Sequence, residues 1–149
     1  MLIKSICNPE AVSCGASTTV IEAAALMRKH HVGDLVVVGE PVNDRIPLGV
    51  VTDRDLVVEV LGLGLDPSAT RVGAILRKPV IVAHDNEDAS QVVERMKAHG
   101  VRRIPVVDGG GALVGIITLD DLLGLVAGDL NALVDLISQQ FGRERRARR

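Results

Sequence analysis

The heptapeptide Gly49-Val50-Val51-Thr52-Asp53-Arg54-Asp55 returns 66 residues later as Gly115-Ile116-Ile117-Thr118-Leu119-Asp120-Asp121. Self-similarity at a fixed spacing is the mark of a repeated supersecondary unit, so the chain is read first as a duplication. Each copy predicts the end of a buried strand and the start of a helix, with a hydroxyl and a carboxylate at the helix start. Thr at the N-cap with an acid three residues on is a relative of the capping box, and the acid suits the positive end of the helix dipole.

The similarity extends on both sides of the motif. At an offset of 69, Ile3 to Ile6 answers Val72 to Ile75, Ala11-Val12 answers Val80-Ile81, and Thr19 to Glu22 answers Asp88 to Gln91. The last pair predicts two capping boxes. The helices that follow run to His30 and His99, then give way to apolar strands at Leu35 to Val38 and Ile104 to Val107. The residue before Pro105 is biased toward extended geometry, which supports the second of these. The first copy then carries the longer turn, Gly39 to Arg45, and the second the shorter hairpin signal Asp108 to Gly111, a difference that brings the offset to 66. Helices are expected from Arg54 to Val60 and from Asp121 onward.

Each unit therefore reads strand, helix, strand, turn, strand, helix. The fold class is α/β (α+β), two units related by a pseudo-two-fold axis, each a small mixed sheet with two packing helices. The expected boundaries are a first unit at 1–62, a linker at 63–71, a second unit at 72–128, a C-terminal helix at 129–142 and a basic tail at 143–149. Gly62 to Ser68 carries the turn chemistry of a linker. One such unit buries too little apolar surface to stand comfortably alone. Packing two sheets together would solve that and create a cleft lined by both Thr-x-x-Asp turns.

Composition narrows the function. The 149 residues carry a formal net charge of −2, which argues against a dedicated nucleic-acid binder. Phe141 is the only aromatic residue, so a ligand base would lie among aliphatic side chains rather than on a stacking platform. Cys7 and Cys14 show neither CxxC spacing nor a disulfide framework. The N-terminus lacks the apolar stretch of a signal peptide, and no apolar run reaches the roughly 18 residues of a membrane span. A soluble, cytoplasmic protein is expected. His30 and His99 sit near helix C-termini, where a partly cationic ring suits the dipole, while His31 and His84 have no partner at ligand spacing. No metal site is expected. Neither Cys14-Gly-Ala-Ser17 nor any Ser/His/Asp set offers an activated nucleophile, so the chain is not expected to be an enzyme.

From Ile3 to about Gly128 the chain resembles a tandem pair of CBS domains, named after cystathionine β-synthase and often called a Bateman module. Three elements in each copy carry the resemblance: the lead-in segment, the helix-to-strand passage that ends in Val101-Arg-Arg-Ile-Pro-Val106, and the Gly-x-x-Thr-x-x-Asp turn. It implies two adenosine sites in the cleft. In the family the aspartate binds ribose hydroxyls, the threonine supports ribose or phosphate, and the adenine lies against the lead-in and passage of the opposite copy. Carried over by position, site A would combine Thr52, Asp55, Val80, Ile81, Val101 and Arg103, and Arg54 would be a further phosphate contact whose long side chain can serve either site. Site B would combine Thr118, Asp121, Val12, Ser13, Val32 and Asp34.

The chemistry fits that implication, since a carboxylate accepts from both vicinal ribose hydroxyls and charge-assisted bonds contribute about 1.5–3 kcal/mol each. A helix N-terminus also favours phosphate. The two sites are expected to differ. Arg103 has Asp34 as its counterpart in the first copy, and Asp53-Arg54 is matched by Leu119-Asp120. A phosphate near Asp34 would meet repulsion of about 1 kcal/mol or more. Site A should therefore prefer a phosphorylated adenosine, and site B should be empty, weaker or suited to a neutral or cationic adenosine derivative. The expected function is a regulatory module sensing AMP, ADP or ATP, with no cofactor required and an unidentified effector protein. The alternatives are an S-adenosylmethionine or NAD(H) sensor, and a scaffold or dimerisation module whose turns are only caps. Leu130, Leu133, Val134, Ile137 and Phe141 fall at helical spacing, either packed on their own module or forming a homodimer contact. Arg143 to Arg149 reads as a solvated tail or as a contact for an anionic partner.

Overall fold

A computed structural model describes Met1–Ala147. Arg148, Arg149 and the side chains of Phe141 and Glu144 lie outside the described residues. The chain divides into two compact units, Met1–Ile117 and Thr118–Arg149. The first contains β1 (Ser13–Gly15), α1 (Val20–His30), β2 (Asp34–Val38), β3 (Pro47–Thr52), α2 (Asp53–Leu56), β4 (Ala83–His84), α3 (Ala89–His99) and β5 (Arg103–Val107), with β6 (Leu113–Thr118) at its end. The second is a single helix, α4 (Leu119–Ala147). No helix among the described residues is long and apolar enough to cross a membrane.

The fold is α+β, with two three-stranded sheets ordered β1-β2-β3 and β4-β5-β6. β1 runs parallel to β2, which pairs antiparallel with β3, and β4 runs parallel to β5. The capping signals act where the sequence places them. Asp88 and Gln91 close a reciprocal box at the start of α3, whereas Thr19 only accepts from the Glu22 N–H at 3.2 Å. The Asp88 carboxyl is held down to about 2 by the Ser90 N–H, then by the terminal ammonium of Met1 at 3.0 Å and the Ser90 hydroxyl. α3 ends at Gly100 with φ 63°, a left-handed C-cap that only glycine adopts at little cost.

Alternation along β2 divides the core in two. Leu35 and Val37 pack with Val20, Ala23 and Met27 of α1 and with Leu56 and Val60. Val36 and Val38, on the other face, pack with Leu113 and Ile116 of β6, which joins the two sheets through buried aliphatic surface.

The lead-in segments are exchanged between the repeats. Ile3 and Lys4 donate to the Glu87 and Asp85 carbonyls, both at 2.9 Å. Val72 donates to Thr18 at 2.9 Å and Gly73 to Ala16 at 3.0 Å, and Val72 is part of the first repeat's core. The isolated bridges Leu2↔Asp88 and Thr19↔Arg71 are equivalents of each other at the offset of 69. The residues read as a linker thus end docked on the first repeat, through Thr70 and Arg71.

The first strand of each repeat begins at Ser13 and Ala83. Two elements differ from expectation. The helix expected from Arg54 to Val60 is α-helical only to Leu56 and continues as a π-helical turn, Val57–Leu61, with Gly62 donating to Val57 at 2.7 Å. The β-branched residues Val57, Val58 and Val60 crowd a regular α turn, and a widened turn relieves that crowding. Finally, no break separates a helix at 129–142 from the one opened by the second motif, because α4 runs unbroken from Leu119. Gly124 and Gly128 suggest an ending, but an interior glycine costs only about 1 kcal/mol and no proline stops the helix.

Candidate functional site

Both Thr-x-x-Asp turns form complete capping boxes. The Asp55 N–H donates to Thr52 Oγ1 at 3.1 Å, and the Thr52 N–H donates to Asp55 Oδ2 at 2.9 Å. At the head of α4 the Asp121 N–H donates to Thr118 Oγ1 and the Thr118 N–H to Asp121 Oδ2, both at 3.1 Å. Capping occupies one carboxylate oxygen in each box. Asp55 Oδ1 has no hydrogen-bond partner among the described residues, and the side chain is half-buried.

Asp55 lines a cavity of about 290 Å³. Val50 and Thr52 reach it from β3, Arg54 and Asp55 from α2, Arg77 from the second lead-in, Gly100, Val101 and Arg102 from the passage between α3 and β5, and Arg103 from the first position of β5. The left-handed Gly100 ends α3 there, so the next three side chains are presented by the short passage into β5. Of the residues assigned to site A, Thr52, Asp55, Val101 and Arg103 share this cavity, and Arg54 joins them. Val80 and Ile81 are not among its lining residues. Val80 instead lines a separate hollow of about 630 Å³ with Leu48, Leu76 and Pro79. The reason is register. The second lead-in crosses β3 at Leu76, whose Cδ2 lies 3.2 Å from where a Cβ on Gly49 would stand, so Arg77 occupies the cavity wall.

Arg103 and Asp34 were assigned to different sites; the fold joins them. Arg103 Nε lies 2.5 Å from Asp34 Oδ2, an ion pair of close approach in which the Nε–H is not aligned for a hydrogen bond. The two are equivalent positions in the repeat, and equivalent residues near a pseudo-two-fold axis face each other across it. Each therefore partly neutralises the charge that would have distinguished its site. Arg54, Arg77 and Arg102 form no ion pair among the described residues and are exposed at the cavity.

Arg77 and Arg102 lie outside the motif and outside the site expected from it. The repeat itself carries a signal that finds them. At the two offsets the equivalents of Arg77, Arg102, Arg103 and Arg54 are Asn8, Gly33, Asp34 and Asp120, so every cation at this cavity has a neutral or acidic counterpart.

The residues assigned to site B are divided between the two compact units. In the first, Val12 accepts from the Val36 N–H at 2.9 Å, Ser13 opens β1, the Val32 N–H donates to Met27 at 3.0 Å, and Asp34 is paired as described. In the second, Thr118 and Asp121 form the cap of α4. Elsewhere, burial pushes the Cys14 thiol up, and Cys7 and Cys14 share no disulfide. No group of three or more His, Cys, Asp or Glu among the described residues could hold a metal ion.

Comparison with known proteins agrees with this architecture. The family model for the CBS domain matches twice, at residues 3–62 and 72–128. An uncharacterized protein of Methanopyrus kandleri is 33% identical over 121 residues, 81% of this chain but 60% of that relative's own length. Hypoxic response protein 1 of Mycobacterium tuberculosis is 34% identical over 119 residues, 80% of each chain. Among solved structures, the CBS domain pair of protein MJ0100 in complex with 5′-methylthioadenosine and S-adenosyl-L-methionine superposes with a TM-score of 0.75 at 26% identity, covering 87% of this chain and 98% of that one. CBS domain protein PAE2072 from Pyrobaculum aerophilum, complexed with AMP, gives 0.73 at 27% identity, covering 82% and 90%. With a duplicated turn, exchanged lead-ins and two matched spans, the chain belongs to the CBS domain family as a tandem pair of its domains.

Proposed function

We propose that this CBS pair is a regulatory module that binds one phosphorylated adenosine, AMP, ADP or ATP, in the cavity around Thr52 and Asp55. The observation that carries this reading is a half-buried carboxylate with one oxygen unused, facing the same cavity as three arginines without ion-pair partners. The carboxylate supplies acceptors for vicinal ribose hydroxyls, and the guanidiniums supply phosphate donors. The structural relative complexed with AMP supports the same class of ligand. S-adenosylmethionine, bound by the other relative, carries a sulfonium cation, which an arginine-rich cavity disfavours. Phosphate near Arg103 competes with Asp34 for the guanidinium. The ligand then shifts the protein's geometry by its differential affinity for the paired and unpaired arrangements.

Calorimetric titration of the full chain with AMP, ADP and ATP tests this. One site per chain is expected, and without Trp or Tyr a co-purified nucleotide would dominate the absorbance near 260 nm, where mass spectrometry identifies it. Two equal sites per chain, or no thermal response to any adenosine ligand, would overturn the proposal.

A homodimer through α4 is the accompanying reading. Leu123, Val126, Leu130, Leu133 and Ile137 alternate at spacings of four and three and are 53–58% exposed. That spacing is a coiled-coil seam of about 21 Å at 1.5 Å per residue. Such a stripe is self-complementary under a two-fold axis, which makes a second copy its natural occupant. Light scattering should give a dimer mass for the native chain and a monomer mass for Leu130→Glu combined with Leu133→Glu. A monomeric native chain would end this reading.

A further inference from the structure

We propose that the Asp55 cavity discriminates nucleotides by phosphate number, binding a triphosphate more tightly than a diphosphate and a diphosphate more tightly than a monophosphate, with Arg77 and Arg102 as the specificity-determining side chains. This inference rests on the nucleotide reading above and goes beyond it. The charge balance at the cavity carries it. Four guanidiniums line the site, and Arg103 alone has an ion-pair partner, Asp34. Asp55, whose Oδ2 accepts the Thr52 N–H, brings one negative charge to the cavity. Arg54, Arg77 and Arg102 exceed it by two positive charges.

A single phosphate carries a charge of about −2, enough to balance that excess, but it presents only three terminal oxygens to three guanidiniums with five N–H donors each, while each added phosphate brings further negative charge and further acceptor oxygens. The three free arginines come from α2, the second lead-in and the α3–β5 passage, so the fold gathers them from distant parts of the chain. All three are exposed, which places their charge at the solvent-facing side of the cavity, where a phosphate chain extends without needing enclosed volume. Exposure also limits the size of the effect. Solvent and salt screen each guanidinium, so the expected gain is about five- to tenfold per phosphate at low ionic strength and less at physiological salt. The repeat makes the preference one-sided, since Asn8, Gly33, Asp34 and Asp120 stand at the equivalent positions and bring no cation.

The test is calorimetry on the full chain with adenosine, AMP, ADP and ATP, without divalent cations, at two ionic strengths. Affinity should rise stepwise with phosphate number, and ATP should lose the most on raising salt. The double variant Arg77→Ala with Arg102→Ala should bring ATP affinity close to that of AMP, lowering ATP affinity far more than AMP affinity, because a monophosphate offers these side chains fewer acceptor oxygens. Arg77→Lys with Arg102→Lys should restore most of the ATP preference, because it keeps the charge. AMP binding as tightly as ATP would overturn the inference and leave the nucleotide reading standing. An unchanged ATP-to-AMP ratio in the alanine variant would do the same. If none of the four binds, the nucleotide reading fails and this inference falls with it.

Discussion

Asp55→Ala is expected to weaken ATP binding about a hundredfold. Two charge-assisted hydrogen bonds to ribose hydroxyls contribute roughly 1.5–3 kcal/mol each in full burial, and partial exposure brings the pair to about 3 kcal/mol. Each 1.4 kcal/mol is a factor of ten, which gives the hundredfold estimate. The same substitution removes half of a capping box, because Asp55 Oδ2 accepts the Thr52 N–H at 2.9 Å. Losing a cap costs about 1 kcal/mol and lowers the melting temperature by roughly 3–4 °C in a chain of this size. Asp121→Ala separates the two effects. It opens the equivalent box at the head of α4, where Asp121 Oδ2 accepts the Thr118 N–H at 3.1 Å, and should cost similar stability with ATP affinity unchanged. Equal affinity losses in the two variants would show that the turns act only as caps.

In the proposed site the phosphate chain and the carboxylate would make separate contributions, with Asp55 holding the ribose and the arginines the phosphate chain. The Asp34–Arg103 pair links the two repeats at this point, since Asp34 opens β2 and Arg103 opens β5. A phosphate that takes Arg103 leaves Asp34 half-buried without its cation, a cost the rest of the structure must absorb by rearrangement.

What was legible in the chain was whatever depends on local sequence. The boxes at Thr52, Asp88 and Thr118 are spelled out by residues three apart, and the apolar runs of β2 and β5 declare buried strands. The exchange of lead-ins was not legible, because Ile3 to Glu87 and Val72 to Thr18 are backbone pairings with no side-chain signature. The same exchange fixes the lining of the cavity. Its wall is set by where the second lead-in crosses β3, and that crossing places Arg77, not Val80, at the cavity. The Arg103–Asp34 pair escaped for a related reason: the repeat gives equivalence, but only the axis position decides which equivalents meet. α4 shows the opposite case, in which the boundary expected between 128 and 129 falls inside one unbroken helix.

The glycines that open the two motifs are expected to respond very differently to a methyl group. At Gly115 a Cβ would lie 2.7 Å from the Asn8 carbonyl oxygen and 3.0 Å from Cys7 Sγ. That carbonyl accepts the Ile116 N–H at 2.9 Å, and the Asn8 N–H donates back to Ile116 at the same distance. The first lead-in therefore cannot retreat without stretching both hydrogen bonds, and the site is buried. Overpacking and two weakened bonds together suggest a loss of about 3 kcal/mol for Gly115→Ala, or a fall of about 10 °C in melting temperature. At Gly49 the nearest atoms are Leu76 Cδ2 at 3.2 Å and Cδ1 at 3.5 Å. These are the ends of a flexible side chain, which a small rotation moves, so Gly49→Ala should cost less than about 1 kcal/mol. Thermal unfolding of the two variants measures the difference directly. Equal shifts would mean that the first lead-in is not held on β6 by the Asn8–Ile116 pairing, and that the close approach at Gly115 is no constraint on the fold.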